Sequence, residues 1–359
     1  MTHFNNKFMN IIFCCQSTDT NDPIIADTVS RIRQLSTHKK VNDVDVVCLK
    51  KGKVEFGKNV TVTSIKETSN NRLTSLLLLY RKIFEITALK RIHTIYLYMV
   101  PSWALVLLPI QKILKIQIVI WFCHTQIDLT SAIACKYIAN KWITSNKSMV
   151  PLKSKNIFFA GQGIDPQKFY SQDLPKIFDL ITIGRITPIK KLEVLLDAIK
   201  ECEAKYNKKY SLAIGGDAYT LKDEEYKQKI LLKIKNLRLE SRIYHLGFVD
   251  HEILPKLLNQ AKCFVFTVPG GIGKASIEAM ACGIPLIISS PEADDFFTDE
   301  LNKWFLCKNT VNKVAENMYS LLEADQHKLA SLKEQMQELF YEKYTLNKFT
   351  DRVVSIIDK

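Results

Sequence analysis

The chain has 359 residues, enough for two domains of ordinary size, and 47% of them are apolar, which with the lack of any low-complexity tract excludes a disordered protein. With 50 basic residues against 37 acidic ones, the net charge of +13 calls for an anionic partner: a nucleotide diphosphate, a lipid phosphate or an acidic membrane surface. Nucleic acid is not expected, because the cations are scattered and neither zinc-finger spacing nor an aromatic-rich RNA-binding signature occurs.

Strand and helix patterns alternate almost throughout, which predicts an α/β protein of parallel sheets covered by helices. In the first half, strands are expected near Asn10 to Cys15, Asp43 to Leu49, Val60 to Ile65, Thr94 to Tyr98, Ile116 to Phe122, Trp142 to Thr144 and Asn156 to Phe159. The apolar run at Met9 to Phe13 is too short for a signal peptide and continues as the first strand. Leu73 to Tyr80 is leucine-rich and is followed by Arg81, Lys82, Lys90 and Arg91. It reads either as a core helix or as a helix resting on an anionic membrane surface. Tyr96 to His124 comes closest to a membrane span, but Pro101, Pro109, Gln111, Lys112 and Lys115 interrupt it, so no spanning helix is expected.

Pro166 to Ile177 is polar and reads as a linker. Beyond it, strands are expected near Leu180 to Ile183, Ser211 to Gly215, Arg242 to Leu246, Cys263 to Thr267, Leu286 to Ser289 and Trp304 to Leu306, with a last helix from about Leu346 to Asp358. The nine cysteines form no C-x-x-C pair, so zinc and redox motifs are not expected, and buried thiols in a reducing cytoplasm are the default.

Two segments carry chemistry. Pro269 to Pro285 reads PGGIGKASIEAMACGIP: a glycine-rich loop opens into a short helix, Gly283 supplies the left-handed cap and Pro285 blocks continuation. Such a loop brings backbone close to a ligand and points N–H groups at an anion, here those of Gly271, Ile272, Gly273 and Lys274. Glu278 then suits sugar hydroxyls, or else pairs with Lys274 at i, i+4 on a solvated face. The second segment, FDLITIGRITPIKKLEVLLDA from Phe178, is a strand, a turn at Gly184 and a helix, with Arg185, Lys190 and Lys191 between them. Cations at a strand top before a helix suit a pyrophosphate. Gly215-Gly216-Asp217 closes another strand end, as a tight turn or as a ligand contact.

GRITPIKK, HLGFVDHEILPKLLNQAKCFVF and GIGKASIEAMACGIPLI occur in the order and spacing of one known domain. From Phe178 to Ser290 the chain resembles the nucleotide-sugar domain of glycosyltransferase family 4, the retaining GT-B enzymes. GQGIDPQKF resembles the family's interdomain signature, and WFCHTQ the strand that ends in its active-site histidine. The resemblance implies a GT-B fold, two Rossmann-like domains facing a central cleft. Residues 1–170 would hold the acceptor, with the helix at 345–359 packing back on them, and residues 171–344 the nucleotide sugar.

The resemblance implies a retaining glycosyltransferase of hexosyltransferase type, acting on a glycan or lipid-linked acceptor in cell-surface polysaccharide or glycolipid synthesis. It would be cytoplasmic, peripheral on the inner face of the membrane, and without a cofactor beyond the nucleotide-diphosphate sugar itself. His124, Arg185 and Lys190 would be catalytic. Gly184, Arg185, Lys190, Gly247, Phe248, Val249, Gly271, Ile272, Gly273, Lys274 and Glu278 would bind the donor, with Glu278 on the ribose. No metal is implied: Arg185 and Lys190 would take the place of a divalent ion. Asn21 and Asp22 stand where a phosphate would pass. One departure stands out. The family's first donor-site glutamate falls at Gly270, which removes a carboxylate from the sugar and keeps open a catalytically impaired, nucleotide-sugar-binding or membrane-associated subunit.

Overall fold

The structure, a computed structural model, describes residues 8–20, 27–66, 71–123, 127–149 and 152–359. In chain order the first elements are β1 (Met9–Ser17), α1 (Thr28–Ser36), β2 (Val41–Lys50), β3 (Val60–Ser64), α2 (Arg72–Leu89), β4 (Thr94–Tyr98), α3 (Trp103–Leu114), β5 (Gln117–Trp121), α4 (Leu129–Ile133), β6 (Lys141–Thr144) and β7 (Ile157–Phe159). There follow β8 (Phe178–Ile183), α5 (Leu192–Tyr206), β9 (Leu212–Gly215), α6 (Leu221–Asn236), β10 (Ile243–Gly247), α7 (Leu254–Asn259), β11 (Ala261–Phe266), α8 (Lys274–Ala281) and β12 (Leu286–Ile288). The last are α9 (Asp299–Phe305), α10 (Val311–Leu322), α11 (Gln326–Lys343) and α12 (Leu346–Asp358). The chain forms two compact units, Met1–Gly163 with Leu346–Lys359, and Ile164–Thr345.

Among the described residues the first unit holds a seven-stranded sheet in the order β3-β2-β1-β4-β5-β6-β7, every neighbouring pair parallel. In its interior strand β1, flanked by β2 and β4, Ile11, Ile12, Phe13, Cys14 and Cys15 are all buried. A strand covered on both faces must be apolar at every position, not at alternate ones. Helix α12 closes one face of this sheet through Phe349, Val353, Val354 and Ile357. The Phe349 ring meets Trp121 edge-on at 4.9 Å, and the Arg31 guanidinium stacks 4.4 Å from Phe349 while pairing with Asp27 at 2.8 Å. Arg352 Nε donates to the Ala160 carbonyl at 2.7 Å, and Gln117 Nε2 to that of Ile357 at 2.9 Å.

The second unit carries a five-stranded sheet in the order β10-β9-β8-β11-β12, again parallel throughout. In both sheets the strand order reverses beside the first strand, between β1 and β4 and between β8 and β11. Open α/β sheets bind ligands in the crevice past the strand ends at such a reversal. The expected strand at Trp304 to Leu306 is not one. Trp304 and Phe305 end α9, started by the Thr298 hydroxyl accepting from the Leu301 amide, and Leu306 makes only a single bridge to Ile288. The apolar run there is the buried stripe of a short helix, which periodicity cannot separate from a strand over three residues.

On α2, Leu79 is buried, Leu76 and Leu78 are half-buried, and Leu77 is exposed. Arg81 and Lys82 share Glu85, and Lys90 pairs with Asp43 and Asp45. No helix of the described residues is long and apolar enough to cross a membrane.

Candidate functional site

The site grows out of the β8–β11 reversal. Strand β8 ends in Gly184, whose φ of +129° only glycine adopts without strain, and whose amide donates to the Gly215 carbonyl at 2.8 Å. A Cβ here would stand 2.7 Å from Lys190 Nζ, so the glycine makes the space that the ammonium occupies. Lys190 ends a tight turn, Pro188–Lys190, and folds its side chain back. Nζ donates to the Ile183 carbonyl at 3.2 Å and lies 5.1 Å from the centre of the Phe266 ring. Among the described residues no carboxylate lies within 4.0 Å of it. Burial, and next the charge of Arg185, push the Lys190 ammonium down to about 8. Arg185 is exposed, without an ion pair within 4.0 Å among the described residues. Lys191 turns away, 3.9 Å from Glu193.

The β11 loop is stitched to the β8 loop. The Thr267 hydroxyl donates to the Lys190 carbonyl, and Asn309 Nδ2 donates to the Thr267 carbonyl at 3.0 Å. Gly273, which caps α8, brings backbone against the same aromatic ring that faces Lys190: a Cβ on it would sit 2.7 Å from Phe266. Gly270 and Gly271 have φ of +88° and +115°, and both amides donate to the buried Ser290 hydroxyl, at 3.0 and 2.8 Å. This corrects one expectation: the Gly271 amide does not face a ligand, because Ser290 holds it. Ile272 is a core residue by its side chain. The amides of Ile272, Gly273 and Ala275 have no protein acceptor among the described residues, as expected of a helix start.

Glu278 lies one turn into α8 and is buried. Its Oε1 accepts from Lys274 Nζ at 3.2 Å and His251 Nε2 at 3.0 Å. Burial pushes the carboxyl up, but the Lys274 charge and the His251 hydrogen bond outweigh it and hold the group below the usual carboxylate value. The i, i+4 pair therefore exists, though not on a solvated face. His251 follows β10 and stands 27 positions before Glu278 in the chain. The one sequence signal for it is that the turn after β10 ends at the same sheet edge.

Three strand ends close over one another as glycines. A Cβ on Gly216 would lie 2.1 Å from the Gly184 carbonyl, one on Gly215 would lie 2.9 Å from Val249 Cγ2, and the Gly247 carbonyl accepts from the Gly216 amide at 2.7 Å. Phe248 is exposed beside them. Asp217 is engaged at 2.6 Å by Lys227, so this turn is held by its own ion pair. Thus Gly184, Lys190, Phe266 and Gly273 form one cluster and Lys274, Glu278 and His251 another, and the two adjoin through the Gly273–Lys274 peptide at the start of α8. Gly247, Phe248 and Val249 lie at the β10 edge. His124, Asn21 and Asp22 fall outside the described residues.

Residues 166–339 match the family model of glycosyl transferases group 1. Mannosylfructose-phosphate synthase of Agrobacterium fabrum is 27% identical over 155 residues, 38% of this chain and 33% of that protein. An uncharacterized glycosyltransferase of Methanocaldococcus jannaschii is 30% identical over 112 residues, 31% of this chain and 27% of that protein. The chain thus spans about a third of the length of these curated relatives. Among solved structures, Anabaena HepE in complex with UDP and glucose superposes with a TM-score of 0.72 at 17% identity, covering 98% of this chain and 100% of that one. Sucrose-phosphate synthase from Thermosynechococcus elongatus superposes with a TM-score of 0.74 at 16% identity, covering 98% of each. With its two parallel Rossmann-like sheets the chain has the GT-B fold, and its residues 166–339 are similar to the glycosyl transferases group 1 domain.

Proposed function

We propose that the protein is a retaining, metal-independent glycosyltransferase of hexosyltransferase type that moves a sugar from a nucleotide-diphosphate sugar to a glycan or lipid-linked acceptor. The observation that carries this reading is Lys190: a half-buried ammonium at the sheet's reversal, with an aromatic ring and a carbonyl for company and no carboxylate within 4.0 Å among the described residues. A cation placed so, with Arg185 beside it, suits a diphosphate better than any other common ligand. Glu278, kept ionised, accepts from the ribose hydroxyls, and Gly247, Phe248 and Val249 frame the base. HepE has been solved with UDP and with UDP-glucose, which makes UDP the first nucleotide to test here.

In this reading Arg185 and Lys190 stabilise the charge that grows on the leaving diphosphate as the glycosidic bond breaks. The diphosphate oxygen takes the proton of the acceptor hydroxyl, and His124 touches the donor sugar. The setting is cell-surface polysaccharide or glycolipid synthesis at the cytoplasmic face of a membrane. Gly270 favours a second reading, a binding subunit without turnover, since it leaves no carboxylate for the sugar. One experiment separates the two. Melting-point shifts with UDP, GDP, ADP and dTDP identify the nucleotide by mass action, and turnover of its sugars is then followed with and without EDTA. Turnover that survives EDTA and falls at least about tenfold in Lys190→Met and in Glu278→Ala supports the enzyme, one charge-assisted hydrogen bond being worth that much. Nucleotide binding with no turnover of any donor supports the subunit. Activity lost on chelation and restored by manganese or magnesium overturns metal independence.

A further inference from the structure

We infer that His251 is a positioning residue for Glu278, and that its hydrogen bond is what releases Lys274 to the phosphate of a bound nucleotide. This rests on the nucleotide-sugar reading above. Glu278 Oε1 receives two donors, Lys274 Nζ at 3.2 Å and His251 Nε2 at 3.0 Å. They differ in what they can do next. Lys274 is the first residue of α8, beside amides that lack a protein acceptor, so a phosphate arriving there competes with Glu278 for its ammonium. A buried carboxylate stripped of every donor is strongly destabilised. His251 prevents that. Its ring lies 5.2 Å from the Phe169 ring at an interplanar angle of 59°, and Phe169 is fully buried, so the imidazole is braced from behind. With His251 fixed on Oε1, Glu278 stays ionised when Lys274 leaves, and its remaining lone pairs are aimed at the ribose.

The test uses the full chain and compares UDP with 2′-deoxy-UDP by calorimetry, which isolates the ribose contact. The parent chain is expected to prefer UDP by about tenfold, the worth of one hydrogen bond to a charged group. His251→Phe keeps a ring against Phe169 but removes the donor. It is expected to weaken UDP by about tenfold and to shrink the preference to within about threefold. His251→Gln places an amide N–H near the same point and is expected to keep most of the preference. If His251→Phe weakens both nucleotides equally, or if His251→Gln behaves like His251→Phe, the residue is merely structural and the inference is overturned. If His251→Phe does not fold, His251→Gln decides alone: a kept preference supports the inference and a lost one overturns it. A parent chain that binds UDP without preferring the ribose overturns the role of His251 and leaves the nucleotide reading standing. A parent chain that binds none of UDP, GDP, ADP and dTDP overturns both.

Discussion

Lys190 ties the chemistry of the site to pH. Its ordinary value of 10.5 falls to about 8 in the folded chain, burial being the main cause. The folded state therefore binds fewer protons than the unfolded one between those values, so this group's contribution to stability rises with pH across that window. Below about 8 the half-buried ammonium is charged without a carboxylate partner within 4.0 Å among the described residues, and a diphosphate relieves that cost. The contribution of Lys190 to nucleotide-diphosphate affinity should thus be level below about pH 8 and fall above it. Binding at pH 8 should take up about half a proton, read by calorimetry in two buffers of different ionisation enthalpy. Lys190→Met should abolish that uptake, and proton-neutral binding by the parent chain would contradict the assignment. Gly270 is the other residue to test. Space around a Cβ there is open, but φ is +88°, so Gly270→Glu should fold with a loss on the order of 1–2 kcal/mol. Relative rates among donor sugars should shift while free UDP affinity holds, and the reverse pattern would mean that the loop serves the nucleotide. Arg185, Lys190 and Glu278 were legible as site candidates because each lies in a short stretch whose glycines and cations announce a strand top. His251 was not, since nothing local marks a partner 27 residues from Glu278. Nor was Ser290, which claims the Gly270 and Gly271 amides from across the next strand.

At the scale of elements, the limits of α8 are legible in its letters. Gly283 has φ of +68°, its amide donates to Met280, and that of Ile284 donates to Ala279, the paired bonds of a glycine-ended helix. Alternation likewise led to parallel sheets, but strand order did not follow from it, because order depends on which crossovers run left or right of β1 and β8. Helix α2 shows what a leucine run leaves open. Its exposed stripe is Leu77, Arg81 and Phe84, not the whole run, and Arg81 and Lys82 already share Glu85. The notion of an anionic membrane under this helix therefore makes a narrow prediction. Vesicles rich in anionic lipid should sediment the chain, less so at high salt, and Leu77→Gln with Phe84→Gln should reduce it several-fold, each basic group adding only about 1 kcal/mol. Equal partition onto neutral vesicles, or none onto either, counts against it.

At the scale of the molecule, the first unit is discontinuous in sequence: one face of its sheet is closed only when α12 returns to it. Phe349, Val353, Val354 and Ile357 are each almost wholly buried, and at about 1.5–3 kcal/mol apiece their burial rivals the 5–15 kcal/mol stability of a typical domain. Removing residues 346–359 should therefore abolish cooperative melting of the first unit and expose dye-binding apolar surface, while residues 164–345 keep their own transition. Two unchanged transitions would refute this. The same arrangement governs how the chain is made. The ribosome delivers β1 to β7 first but must synthesise all of residues 164–345 before α12 emerges. At roughly 5–20 residues per second that is a delay of roughly ten to forty seconds. During it the face bearing Phe13, Tyr98 and Trp121 is covered by α1 but lacks α12, so the half of the protein that is translated first is the half that finishes folding last, and it is the half a chaperone has reason to hold.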